Sequence, residues 1–246
     1  MIFVYLDLLQ ENFLAFVVFF GAVSTALVVG LSFHEFSHAI VADSLGDPLP
    51  RRLGRVSLNP LAHLDPTGTL LLFLVGFGWG KPVPVNAYAL RNGVKSGMAL
   101  VAGAGPLSNF LMAAAAGLPL KLGWVPWLPA FDPDAVNFFV NSGWNLDEYL
   151  GLFLSTVVLV SIILGVFNLI PLFPLDGHRV VPAFLTDASA ENYMRFQARY
   201  GIPILIVLIA LPFLTAGNFG ILFEVMRPII NGLSRLFAGI DHDVFA

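Results

Sequence analysis

The chain has 246 residues, 57% hydrophobic and 11% charged, with a formal net charge of −4 and a mean hydropathy of +0.83. Soluble domains carry about 25% charged residues, so this composition excludes an ordinary soluble domain and points to an integral membrane protein. The mild charge argues against a nucleic-acid partner, and the absence of cysteine excludes disulfides, thiolate nucleophiles and cysteine-bound metals.

Residues 1–27 hold Asp7 and Glu11 and no basic n-region, so a signal peptide is not expected there. The first apolar run, 13–45, is long enough to cross a hydrocarbon core of about 30 Å and project beyond it. The run 68–79 is too short to cross and reads as a re-entrant or short buried helix. Residues 80–93, "GKPVPVNAYALRNG", carry period-2 traces between turn residues and read as an extended strand or hairpin. A second span is expected at 96–120, whose Gly and Ala content suits close helix packing. A polar loop, 121–149, holds Asp132, Asp134, Asp147 and Glu148 against Lys121 alone. A third span follows at about 150–172, then a mixed amphipathic stretch at 178–200. Two final helices are expected at 202–214 and 219–237. The fold class is thus an all-α polytopic membrane protein of five to six hydrophobic helices with a small membrane-associated β-hairpin. It forms one domain over 1–246, with its main body at about 13–185 and peripheral helices at about 200–237.

Nearly all Lys and Arg residues fall near 46–66, 80–95, 178–200 and the C-terminal helix. The positive-inside rule then places those three loops in the cytoplasm and the N-terminus outside. Basic flanks on both sides of 68–79 favour re-entry over crossing.

Within the first run lies His34-Glu35-x-x-His38. Residues four apart share a helix face, so the two imidazoles can meet one ion. Glu35, about 100° around from His34, stands beside that ion as a general base for water. Three ionisable groups in an apolar helix are costly without such a role. A catalytic zinc needs a third protein ligand and an open position. Val41 and Ser44 stand where an extended motif would supply one. Asp65, Asp176 and His63 are the candidates, and Asp176 is preferred because it closes "NLIPLFPLDG" directly after a full span.

His34-Glu35-x-x-His38, together with Asn168-x-x-Pro171-x-x-Pro174-Leu175-Asp176-Gly177, resembles the site-2 protease family of intramembrane zinc metalloproteases. "NPLAHLDPTGTLLLF" and "GKPVPVN" also resemble its compact bacterial and archaeal members. The resemblance covers about residues 30–185. It implies one zinc ion on His34, His38 and Asp176, Glu35 as the catalytic base, and Asn168 holding the substrate backbone. It also implies a three-helix catalytic core at about 13–185, with 80–93 in a small membrane-embedded sheet. Family members often carry a PDZ or CBS domain, for which this chain has no room.

Asn109 and His63 are further candidates for substrate contact. Their plainer readings are an interhelical hydrogen bond and an interfacial histidine. Gly103 and Gly105 are read as packing residues, Asp65 as a helix cap, and His178 as a support for the ligands or an interfacial residue. The expected partners are transmembrane protein substrates and the lipid bilayer, and the active site is expected nearer the cytoplasmic face of the cell membrane. The alternative is a metal-ion transporter or channel using the same His and Asp groups as transient ligands. It calls for further acids or histidines in the other spans, and 96–120, 150–170 and 202–214 contain none.

Overall fold

The computed structural model describes residues 13–75, 78–128, 145–215 and 220–244. Asp7, Glu11, Asp132 and Asp134 lie outside the described residues.

Six long helices are described: α1 (Phe13–Ser44), α2 (Pro66–Val75), α3 (Val94–Lys121), α4 (Leu146–Asn168), α5 (Asp187–Leu214) and α6 (Ile221–Ala238). Among the described residues, four of them (α1, α3, α4 and α5) are long and apolar enough to cross a membrane. Helices α1, α3 and α4 pack most extensively on one another. Their shared core includes Phe19, Val23, Ala113, Leu152, Leu159 and Ile162. Lipid offers no hydrophobic drive between helices, so close packing must supply the contact.

Local chemistry sets the ends of α4. Asp147 and Glu148 fill its first turn, where the helix dipole favours anions, and the Glu148 carboxylate accepts the backbone N–H of Asn145. At the far end the helix stops at Asn168, three residues before Pro171. The chain then folds into a compact bend through Pro171 and the cis Phe173–Pro174 peptide.

Three expectations need correction. Residues 80–93 form no hairpin, and among the described residues the only β pairing is an isolated antiparallel bridge between Leu64 and Gly80. Pro82 and Pro84 lack the N–H groups a ladder requires. The run 81–86 is instead tied at its ends. Lys81 N–H donates to the His63 carbonyl at 2.7 Å, and buried Arg55 donates Nη1 to the Ala62 carbonyl and, at 3.2 Å, to that of Lys81. At the other end buried Asp47 accepts the Asn86 N–H at 2.7 Å.

Second, 178–200 and 202–214 are not a loop followed by a short helix. Residues from Asp187 onward join the apolar run in the single helix α5, which contains Pro203. The carbonyl that Pro203 leaves without a donor belongs to Arg199, on an exposed turn where other partners can serve it. Third, α6 is amphipathic and not among the candidate spans. Met226, Ile230, Ser234 and Ala238, spaced four apart, are its buried residues, and it packs on α3 and α4. Helix α2, at ten residues, spans about 15 Å and is too short to cross, as its sequence indicated.

Candidate metal centre

His34 and His38 lie one turn apart in the second half of α1, both buried, with ring centroids 4.6 Å apart and planes perpendicular. Helix α3 passes directly behind them. His38 Nδ1 donates to the carbonyl of Val101 at 2.7 Å. A carbonyl can only accept, so this bond fixes the proton on Nδ1 and leaves the Nε2 lone pair facing inward. One turn further along α3, Gly105 makes the close approach possible. A Cβ there would sit 2.5 Å from His38 Nε2 and 2.7 Å from His34 Cε1.

Asp176 arrives from the bend that follows α4. Its Oδ2 lies 3.0 Å from His34 Nε2 and 3.2 Å from His38 Nε2, yet it is buried and has no hydrogen-bond partner of acceptable geometry. Burial pushes the carboxyl pKa up, but the adjoining His38 and His34 outweigh it and hold Asp176 below the usual carboxylate range. A carboxylate oxygen facing the Nε2 atoms of both imidazoles calls for a shared cation, a ring proton or a metal ion in its place. His34, His38 and Asp176 form a group whose ligand atoms lie within 4.8 Å of one another. Two imidazoles and one carboxylate suit zinc and leave a fourth position open. On donor chemistry and orphaned atoms, the residues fit that ion.

The three residues border a cavity of about 520 Å³. Glu35 and Asn168 also line it, as do Trp79, Val83, Val85, Phe167, Arg179 and Leu205. The Asn168 side chain donates to the Leu164 carbonyl at 2.9 Å, within its own helix. Ala102 is a wall residue too, and Pro106 deprives its carbonyl of the normal helical donor.

Other candidates stand apart. Asn109 is buried in α3, and His63 donates its Nε2–H to the Ser57 carbonyl at 2.6 Å. Neither borders the cavity. Asp65 caps α2 by accepting the Gly68 N–H at 2.8 Å. His178 is buried, packs edge-on against Phe173, and burial pushes its imidazole pKa down. Sequence reasoning missed Val101 and Gly105 as supports of the imidazoles. The only trace was the run of small residues in α3, which packing alone explained.

Peptidase family M50 matches residues 135–211, the part of the chain that holds Asn168 and Asp176. "Putative zinc metalloprotease YwhC" of Bacillus subtilis (strain 168) is 32% identical over 214 residues, covering 87% of this chain and 90% of that protein. The chain belongs to peptidase family M50. Two proteins named "Putative zinc metalloprotease Rip2" are also similar. The one from Mycolicibacterium smegmatis is 28% identical over 85% of this chain and 74% of its own length. That from Mycobacterium tuberculosis is 26% identical over 92% of this chain and 80% of its own. No solved structure matches the chain. This M50 peptidase is therefore a metalloprotease, and its apolar helices make it a multi-pass membrane protein.

Proposed function

We propose that this peptidase hydrolyses peptide bonds within or beside transmembrane helices of other membrane proteins, with one zinc ion held by His34, His38 and Asp176. The observation that carries the reading is the convergence of two Nε2 atoms on Asp176 Oδ2, on the wall of a cavity that also holds Glu35. When bound there, zinc supplies Lewis-acid polarisation of a water and of the scissile carbonyl. Glu35 takes the proton of the attacking water at its carboxylate and passes it to the leaving amide nitrogen. The C–O bond to the water oxygen forms first, and the C–N bond breaks once the nitrogen has received that proton, with no other reactant required. His38 keeps its orientation through the Val101 carbonyl. Asn168, on the cavity wall, holds the substrate backbone.

A transmembrane helix hides its carbonyls in i→i−4 bonds, so the substrate must unwind locally. The run 81–86 supports docking of an unwound peptide. Val83 and Val85 border the cavity, and alternate residues of an extended chain present backbone groups along one edge.

The site also sits toward one end of the core. His34 is ten residues from the end of α1 at Ser44, about 15 Å along the axis. Asp176 follows the C-terminus of α4, and Val101 is early in α3. Arg51, Arg52, Arg55, Lys81, Arg91 and Lys95 cluster in sequence around this same end, which supports a cytoplasmic placement.

Reconstitution into liposomes with a labelled single-span substrate tests the reading against transport. Cleavage that stops on chelation and returns with zinc, without zinc accumulating in the lumen, is the expected result. Zinc uptake without cleavage would replace proteolysis by transport.

A further inference from the structure

The Asp176 carboxylate is carried by a bend, not by a helix, and the bend has an external support. Gln197, on α5, is buried at 3% exposure. Its Nε2 donates to the Pro171 carbonyl at 2.8 Å, and its Oε1 accepts the Phe173 N–H at 2.9 Å. An amide side chain carries a donor and an acceptor side by side, and here both are used on two nearby backbone groups of the bend. The turns before and after Gln197 complete the contact. Tyr193 donates its hydroxyl to the same Pro171 carbonyl at 3.0 Å. Gly201 leaves space for the chain, since a Cβ there would lie 2.8 Å from Phe173 Cβ and 3.1 Å from Phe173 N. Residues 193, 197 and 201 are spaced four apart and so share one face of α5. Helix α5 lies outside the core trio, and its most extensive packing is with the turn Val181–Phe184, just past Asp176. Only two residues separate Phe173 from Asp176.

We propose that Gln197 is a positioning residue that sets the Asp176 carboxylate against the two imidazoles through the backbone of the bend. The proposal rests on the reading of Asp176 as a zinc ligand. A side chain at 197 without hydrogen-bonding groups leaves the Pro171 carbonyl short of a donor and the Phe173 N–H unpaired. The bend then relaxes, and the third ligand loses its fixed approach.

The test uses the full chain in detergent. Zinc affinity is measured by chelator competition, and the ligand set is read from the visible spectrum of the cobalt-loaded protein. Gln197→Leu is expected to lower zinc affinity by about tenfold or more and to alter the cobalt bands, with helix content unchanged. Gln197→Glu keeps an acceptor for Phe173 but has no donor for Pro171, and an intermediate affinity is expected. Should Gln197→Leu fail to fold, Gln197→Met carries the same expectation in a side chain of similar length. Asp176→Ala is the reference and is expected to lose zinc more severely. If it loses zinc while the folded Gln197 variants keep wild-type affinity and spectrum, the positioning role is wrong and the ligand assignment stands. If Asp176→Ala itself binds zinc as the wild type does, the ligand assignment is wrong and the proposal falls with it. A purely structural role for Gln197 would lower thermal stability without moving the cobalt spectrum.

Discussion

Gly105 on α3 stands so close to His38 on α1 that a side chain of even one carbon would lie 2.5 Å from the ring Nε2. The same carbon would lie 2.6 Å from His38 Cε1 and 2.7 Å from His34 Cε1. The ring is anchored at its other nitrogen by the Val101 carbonyl, so it cannot simply swing away. Gly105→Ala is therefore expected to displace both imidazoles and weaken zinc binding at least about tenfold, although alanine is the better helix former. Zinc competition on the purified variant checks this, with circular dichroism as the control for helix content. Unchanged affinity would mean that α3 gives way without disturbing the histidines.

The extended run 81–86 is held by buried charges at both ends, Arg55 on the Lys81 carbonyl and Asp47 on the Asn86 N–H. Arg55→Met fills much of the same space but leaves the Ala62 and Lys81 carbonyls without their donor. The expected cost is about 1–3 kcal/mol of stability, seen as a lower thermal midpoint. If the run docks substrate, KM rises as well, while zinc content stays at the wild-type level. A fall in zinc content with KM unchanged would assign Arg55 to the metal centre instead.

Acidification is expected to release zinc. Protons and the ion compete for the same Nε2 lone pairs of His34 and His38, so affinity falls as pH falls. Asp176, held below the usual carboxylate range by those imidazoles, stays ionised over this interval and does not drive the release. Chelator competition from neutral to mildly acidic pH should show up to two protons taken up per zinc lost. An affinity independent of pH would contradict histidine ligation.

Much of this was legible in the sequence because its signals are local. The periodicity of His34 and His38 needs only a helix, and the apolar runs that became α1, α3 and α4 announce themselves by length and composition. Asp176 was reachable because Pro171 and Pro174 mark a chain that cannot continue as a helix. What could not be read depends on contacts distant in sequence. Val101 acts through a backbone carbonyl, which any residue provides. Gly105 looked like one more small residue in a helix full of them. Gln197 sits in a polar stretch whose pattern does not reveal that one amide turns inward. The strand expected at 80–93 failed for a related reason. Its alternation was real, but its prolines removed the ladder donors, and its anchors, Asp47 and Arg55, come from another part of the chain.

Glu35 is proposed to move the proton in a zinc-dependent peptide hydrolysis inside the membrane. The most direct measurement is cleavage of a labelled transmembrane substrate in proteoliposomes by wild-type protein and Glu35→Gln, with zinc content determined on the same preparations. Equal zinc in both, and cleavage reduced by at least about a hundredfold in the variant, are the expected results. Cleavage at the wild-type rate by a zinc-loaded Glu35→Gln protein would contradict it.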